Sequence, residues 1–202
     1  MKKIYSVKQI QELEYKEFKR LKNSFILMKI AGTNCAKKIY SLYSKKNIIV
    51  LCGPGNNGGD GLVISQFLKS LNLEASLYCL NKKTYKGDAL KAYKRNKLIK
   101  NDLKKLKIPK KSIIVDCLFG IGLNRNIKGL FKNIVKKINS SEAKVISIDI
   151  PSGINGDTGK CMGSAVKADF TYALHAKKIG HICQSGKKYS GRITVIDIGI
   201  RK

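Results

Sequence analysis

Asn47-Ile48-Ile49-Val50 is a short apolar run that reads as a buried parallel strand. Leu51-Cys52-Gly53-Pro54-Gly55-Asn56-Asn57-Gly58-Gly59-Asp60-Gly61 follows as a glycine-rich turn, and Leu62-Val63-Ile64-Ser65-Gln66-Phe67-Leu68 continues as helix. Strand, turn and helix N-terminus together make a place for an anion, because free backbone N–H groups and the helix dipole both favour negative charge. The glycines allow positive φ and close approach of a ligand. Asp60 is expected at the start of a helix running to about residue 72, where its carboxylate would cap N–H groups.

Gly53-x-Gly55-x-x-Gly58 satisfies the dinucleotide pattern on paper. That pattern also wants an acidic residue about 20 residues on, at the end of the second strand, to hold a ribose. The second strand here, Glu74-Ala75-Ser76-Leu77-Tyr78-Cys79-Leu80, ends in Asn81-Lys82-Lys83. A phosphate-binding P-loop is excluded as well, since no Lys-Ser/Thr pair follows the glycines. Two amide side chains, backbone N–H groups and one carboxylate remain, a mixture that suits a polar ligand, a metal ion, or both.

Working outward, Ser6 is placed to cap a helix over Val7-Lys8-Gln9-Ile10-Gln11-Glu12-Leu13, and a second helix runs from Ser24 to about Tyr43. Ala31-Gly32 in the latter indicates close packing on another backbone. Thr84 to about Ile99 reads as helix, the lysine-rich 100–111 segment as a surface connection, and 128–139 as helix. Ser112 to Gly120 and Lys144 to Ile150 are two more apolar strands, each delivering a carboxylate, Asp116 and Asp149. An unpaired buried carboxylate is costly, so Asp116 needs a cation, backbone N–H groups or a ligand beside it. Pro151 ends the second of these strands, and Ser152-Gly153 turns the chain. Ligands of open α/β sheets lie beyond the carboxyl ends of the strands, and there three strands present Asn56, Asn57 and Asp60, then Asp116, then Asp149 and Ser152. Residues 168–174 and 191–199 complete the sheet. His175 and His181, without a Cys or Glu cluster, make a poor zinc site and are expected to be exposed.

These segments resemble the NAD(P)H-hydrate epimerase family, the YjeF N-terminal domain. The resemblance rests on Gly53–Val63, Val115–Gly122, Ser147–Gly153, the Ala168–Gly180 region and Ile196-Asp197-Ile198-Gly199, and it covers nearly all of the 202 residues. Lys29 departs from it, standing where Leu-Met-Glu-x-Ala-Gly would have its glutamate. The resemblance implies a three-layer α/β/α Rossmann-like sandwich with a mostly parallel sheet. It implies a single domain over 1–202, with N-terminal helices about 6–45 and a core about 46–202. It also implies an isomerase that interconverts the epimers of NADHX and NADPHX, working beside a separate dehydratase and assembling as a homodimer. By the same resemblance, Asn56, Asn57, Gly58, Gly59 and Asp60 contact substrate, as do Gly120, Ile121, Gly122, Leu123, Asn124, Arg125, Asn126 and Asp149. Asn57, Asp116 and Ser152 hold one potassium ion (K+) per subunit, oxygen donors that suit a hard cation. Asp149 and Lys178 are the candidates for the proton shuttle.

Composition narrows the alternatives. Forty-one Lys and Arg against 13 Asp and Glu give a net charge of +28. The lysines are spread along nearly every expected helix, and no arginine-rich or aromatic-interleaved patch stands out. The charge therefore reads as compositional bias that can still attract a phosphate-bearing ligand, and no nucleic-acid partner is expected. No apolar run approaches the ~20 residues of a membrane span. Six scattered cysteines without a C-x-x-C pair, and no secretory leader, place the protein in a reducing cytoplasm. A non-catalytic nucleotide- or RNA-binding scaffold on the same fold is the alternative. An NAD-dependent oxidoreductase is opposed by the missing ribose acid.

Overall fold

The computed structural model describes residues 3–201. A two-residue strand β1 (Ile4–Tyr5) leads into helices α1 (Val7–Leu21) and α2 (Phe25–Tyr43). The core follows as β2 (Ile48–Cys52), α3 (Asn56–Ser70), β3 (Ala75–Cys79), α4 (Gly87–Arg95), β4 (Lys100–Asp102), β5 (Ile113–Cys117), α5 (Gly129–Asn139) and β6 (Lys144–Ile148). The chain ends with β7 (Phe170–Leu174), β8 (Lys177–Lys178), α6 (Gln184–Tyr189) and β9 (Arg192–Ile196).

Seven strands form one sheet in the order β4-β3-β2-β5-β6-β7-β9, and every pairing is parallel. The order runs outward from β2 in one direction and from β5 in the other, so the topological switch point lies between β2 and β5. The period-2 pleat divides the core. Ile48, Val50, Cys52, Val115, Cys117, Ile146 and Ile148 face the apolar cluster built with α2, α3 and α4. Ile49, Leu51, Ile114 and Val145 face the cluster built with Ile134, Val135 and Ile138 of α5. This is the α/β/α sandwich expected. Gly32 of α2 packs on Val63 of α3, where a Cβ would come within 2.6 Å of Val63, and Lys29 is exposed.

Several boundaries differ from the sequence reading. Helix α3 begins at Asn56, with Gly55 as its N-cap and no side-chain cap, so Asp60 lies one turn inside it, buried, and does not cap. The glycines explain the early start. None of those between 53 and 61 has positive φ; they are required for close approach. A Cβ at Gly53 would stand 1.7 Å from the Leu118 carbonyl oxygen and one at Gly58 1.9 Å from that of Gly53. Helix α4 stops at Arg95 because Asn96, buried, donates from its amide to Leu62 O at 2.8 Å and Ser65 Oγ at 2.9 Å. The 100–111 segment contains an edge strand, β4, and two buried leucines, Leu103 and Leu106.

Ser6 does cap α1. Its Oγ accepts from Gln9 N at 3.2 Å, and Gln9 Oε1 accepts from Ser6 N at 2.8 Å, a reciprocal capping box. Ser6→Ala is expected to cost about 1 kcal/mol, measured by chemical denaturation. The start of α1 is also tied down by Val7 N donating to Asp157 Oδ1 at 2.7 Å. Among the described residues all six cysteines are free thiols, and no helix is long and apolar enough to cross a membrane.

Candidate active site

The carboxyl ends of β2, β5 and β6 are neighbours, so their loops meet. Asp116 is fully buried in β5. Its Oδ1 accepts from Ser152 Oγ at 2.6 Å and Leu118 N at 3.2 Å, and its Oδ2 from Ser147 Oγ at 2.8 Å and Ser152 N at 3.0 Å. Of the partners left open by the sequence, backbone N–H groups and hydroxyls are the ones within the chain. Burial pushes the Asp116 carboxyl up, and the bonds from Ser152, Ser147 and Leu118 pull it back only in part. Ser152 Oγ also meets the Phe119 carbonyl at 3.1 Å, tying the β6 loop to the β5 loop.

Asp149 stands one residue past β6 with φ 69°, a left-handed conformation for a non-glycine. Three bonds hold it there. Its N–H donates to Tyr172 O at 2.8 Å, its carbonyl meets His181 Nε2 at 2.8 Å, and its Oδ2 accepts from Ile121 N at 3.1 Å. Its Oδ1 accepts from Lys178 Nζ at 2.5 Å. Lys178 is 0% exposed, and its ammonium also donates to Leu174 O at 2.7 Å. A lysine buried this deeply survives only because it is paired and hydrogen-bonded.

His181 is the residue that sequence reasoning placed wrongly. It is buried, not exposed, and His175 is half-buried. The cause is β8, which pairs in parallel with β1 in register Tyr5–Lys178 and draws residues 177–181 under the end of β6. Desolvation, with the Lys178 charge, lowers His181 to about 4, so the ring is neutral at physiological pH. Its Nδ1 accepts from Lys178 N at 2.9 Å, which leaves the proton on Nε2 to be donated to Asp149. The signal available in the sequence was only the i, i+3 spacing of Lys178 and His181.

A cavity of about 430 Å³ opens at the switch point, a size within the range of small-molecule sites. Pro54 to Asn57, Asp60, Leu118 to Arg125 and Asp149 line it, and α1 and α2 close it with Gln11, Glu14, Phe18 and Met28. Gly120 sits between Asp149 and Asn57, for a Cβ there would stand 2.9 Å from Asp149 Oδ2 and 3.3 Å from Asn57 Cβ. The Asn57 side chain is buried, yet neither Oδ1 nor Nδ2 has a hydrogen-bond partner among the described residues. Gly58, Gly59, Asp116, Ser152 and Lys178 are behind the wall, and Asn126 packs against Gly163 instead. Asp60 is held well above the usual carboxylate range, first by burial and then by Asp149 and Glu14.

Glu14 was missed entirely. It follows Ile10 by four residues, so it shares the inward face of α1 with Ile10, Leu13 and Phe18. A carboxylate on an apolar helical stripe was the readable sign. Burial raises it from 4.5 to about 7, with Asp149 adding to the rise and Lys178 opposing it.

Fold and site define a class: a Rossmann-like α/β protein with a mixed carboxylate, amide and ammonium site in a cavity at the sheet's switch point. Within it, the chain belongs to the family described as YjeF-related protein N-terminus, which matches residues 24–180. It is 37% identical over 215 aligned residues to an NAD(P)H-hydrate epimerase of Lentilactobacillus buchneri, covering 99% of this chain and 96% of that one. It is 40% identical to an NAD(P)H-hydrate epimerase of Levilactobacillus brevis, covering 76% of this chain and 73% of that one. The crystal structure of yeast ynu0, YNL200c, superposes with a TM-score of 0.76 at 23% identity, covering 96% of this chain and 87% of that one, a likeness of fold.

Proposed function

We infer that the chain is an NAD(P)H-hydrate epimerase, an isomerase interconverting the R and S epimers of NADHX and NADPHX. Membership of the family and the relatives' activity support this. The observation that carries it is Asp149, a carboxyl on the cavity wall whose ion-pair partner, Lys178, is sealed behind it. The substrate bears a hydroxyl on the ring carbon next to nitrogen. The ring nitrogen can expel that hydroxyl as water once it is protonated, leaving an iminium-like cation, and water can re-add from the other face. A fixed carboxylate in a water-poor pocket stabilises such a cation. Lys178 does not line the cavity, so its role is to pair with Asp149 and orient it. His181 fixes the backbone of both. The loop from Gly120 to Arg125 and the N-terminus of α3 at Asn56 and Asn57 offer N–H groups, an amide and a guanidinium to the diphosphate.

Asn57, Asp116 and Ser152 would hold one potassium ion per subunit. The donor chemistry fits: the Asn57 amide is buried without a partner, Asp116 has only neutral hydrogen-bond donors, and all offer oxygen. When bound, the ion would offset the Asp116 charge and brace the two loops against the substrate. Exposed Tyr15, Tyr40 and Leu42 on α1 and α2 support a homodimer through these helices. Interconverting epimers is useful only beside a stereospecific enzyme that consumes one of them, which supports a dehydratase as functional partner. Free thiols support a reducing, cytoplasmic setting.

The test is consumption of R-NADHX by the purified protein coupled to an S-specific dehydratase, in potassium and in sodium. Consumption well above the protein-free rate, faster in potassium, is expected. The protein-free rate with folded protein would overturn the reading.

A further inference from the structure

We propose that Glu14 is the catalytic residue that exchanges a proton with the substrate hydroxyl, from its place on α1 overhanging the cavity opposite the loops of the sheet. The inference deepens the epimerase reading and rests on it.

Asp149 is bound in a way that suits a different role. Both of its oxygens are engaged, Oδ1 by Lys178 Nζ and Oδ2 by Ile121 N. A carboxylate so held, by an ammonium and a backbone N–H, is placed to balance a cation. Lys178 is enclosed and cannot reach the substrate. Besides Asp149 the cavity wall carries three carboxyls, Asp88 of α4, Asp60 of α3 and Glu14 of α1. Asp88 accepts from Lys91 Nζ at 2.8 Å, whereas among the described residues neither Asp60 nor Glu14 makes a side-chain hydrogen bond or ion pair. The cavity between them is a ligand site on independent grounds, because the unpartnered, buried Asn57 amide faces it.

Glu14 faces charged groups from each side: Asp149 past β6, Lys178 of β8, Asp60 of α3, Asp88 of α4 and Arg125 in the β5 loop. Asp88 is paired with Lys91. Burial, with Asp149 and Glu14 beside it, pushes the Asp60 carboxyl up, whereas Glu14, raised to about 7, gives and takes a proton near neutral pH. In the forward step Glu14 O–H protonates the ring hydroxyl. The C–O bond breaks with its electron pair on the departing water, and the nitrogen lone pair forms C=N. Water then adds to the opposite face, the π pair returns to nitrogen, and the proton it sheds passes to the Glu14 carboxylate, with the Asp60 carboxyl as relay.

The test compares wild type, Glu14→Gln and Glu14→Asp, with exposed Glu12→Gln as control, in R-NADHX turnover from pH 5 to 9. Wild-type kcat/KM is expected to fall as pH rises through about 7, where Glu14 loses its proton. Glu14→Gln is expected to lose about 100-fold or more in kcat with KM little changed, and to lose that limb. Glu14→Asp should retain part of the rate, and Glu12→Gln all of it. The protonation state is read separately, without substrate. The raised carboxyl contributes stability that is present below pH 4.5 and lost as pH rises through about 7. Glu14→Gln should therefore melt higher than wild type at pH 8 and alike at pH 4. Wild-type turnover with an equally active Glu14→Gln, or one changed only in KM, would overturn the role of Glu14 alone. A folded wild type without turnover would overturn the epimerase reading. Equal melting of wild type and Glu14→Gln at pH 8 would also overturn the proposal, since the carboxyl would then not be raised by its surroundings.

Discussion

Lys178→Met is expected to abolish epimerase activity and to destabilise the fold by about 3–5 kcal/mol, the cost of leaving one member of a buried ion pair without the other. Lys178 Nζ is the cationic partner of Asp149, whose side chain is about 10% exposed, and it also satisfies the Leu174 carbonyl. Methionine matches the volume of the stem but supplies neither bond. Asp149 would be left in place without its cationic partner. Adding Asp149→Asn should return much of the stability without returning activity, because the charge that stabilises the cation is then absent. Urea denaturation at pH 8 for the single and double variants measures each term. A single variant as stable as wild type at pH 8 would mean that the pair is not a determinant of the site.

Gly58→Ala should be nearly as damaging, about 3–5 kcal/mol, while Gly55→Ala, in the same loop, should change stability by no more than about 0.5 kcal/mol. At Gly58 an added Cβ would lie 1.9 Å from the Gly53 carbonyl oxygen, a backbone atom that cannot swing away. Relief would require Gly53 to move, but its own Cβ position lies 1.7 Å from the Leu118 carbonyl and its N–H is bonded to Cys117 O at 3.0 Å. The displacement would pass from the β2 loop to the β5 loop and carry Asn57 and Gly120 with it. At Gly55 nothing lies within 4 Å. Thermal melts of the two variants separate a steric role for the glycines from a purely conformational one, in which both would cost alike.

The sheet was legible because each central strand is an apolar run ending in a polar or glycine-rich turn, and parallel strands buried on both faces leave that trace. It follows that Asp116, Asp149 and Ser152 could be placed at one edge from their position after such runs. Asn57 was legible for the same reason. What stayed hidden depended on contacts distant in sequence. The burial of Lys178 and His181 is set by pairing of β8 with β1, more than 170 residues apart, which no local pattern announces. Strand β4 is Lys100-Asn101-Asp102, a composition that suits a protected edge and has no strand propensity of its own. The start of α3 was misplaced because Gly-Gly inside a helix argues against helix locally, while close packing on Met28 and the β2 loop demands it. Glu14 was overlooked because one of three glutamates in a charged amphipathic helix reads as solvated until α1 is seen to lie over the cavity.

The most direct test of the account starts from pure R-NADHX in water enriched in oxygen-18, with the two epimers separated over time and weighed by mass spectrometry. Inversion by loss and return of water predicts that R and S equilibrate much faster with the protein than without it, and that heavy oxygen enters the ring hydroxyl in step with inversion. An R-to-S ratio that moves only at the protein-free rate, in the presence of folded protein and potassium, would contradict it.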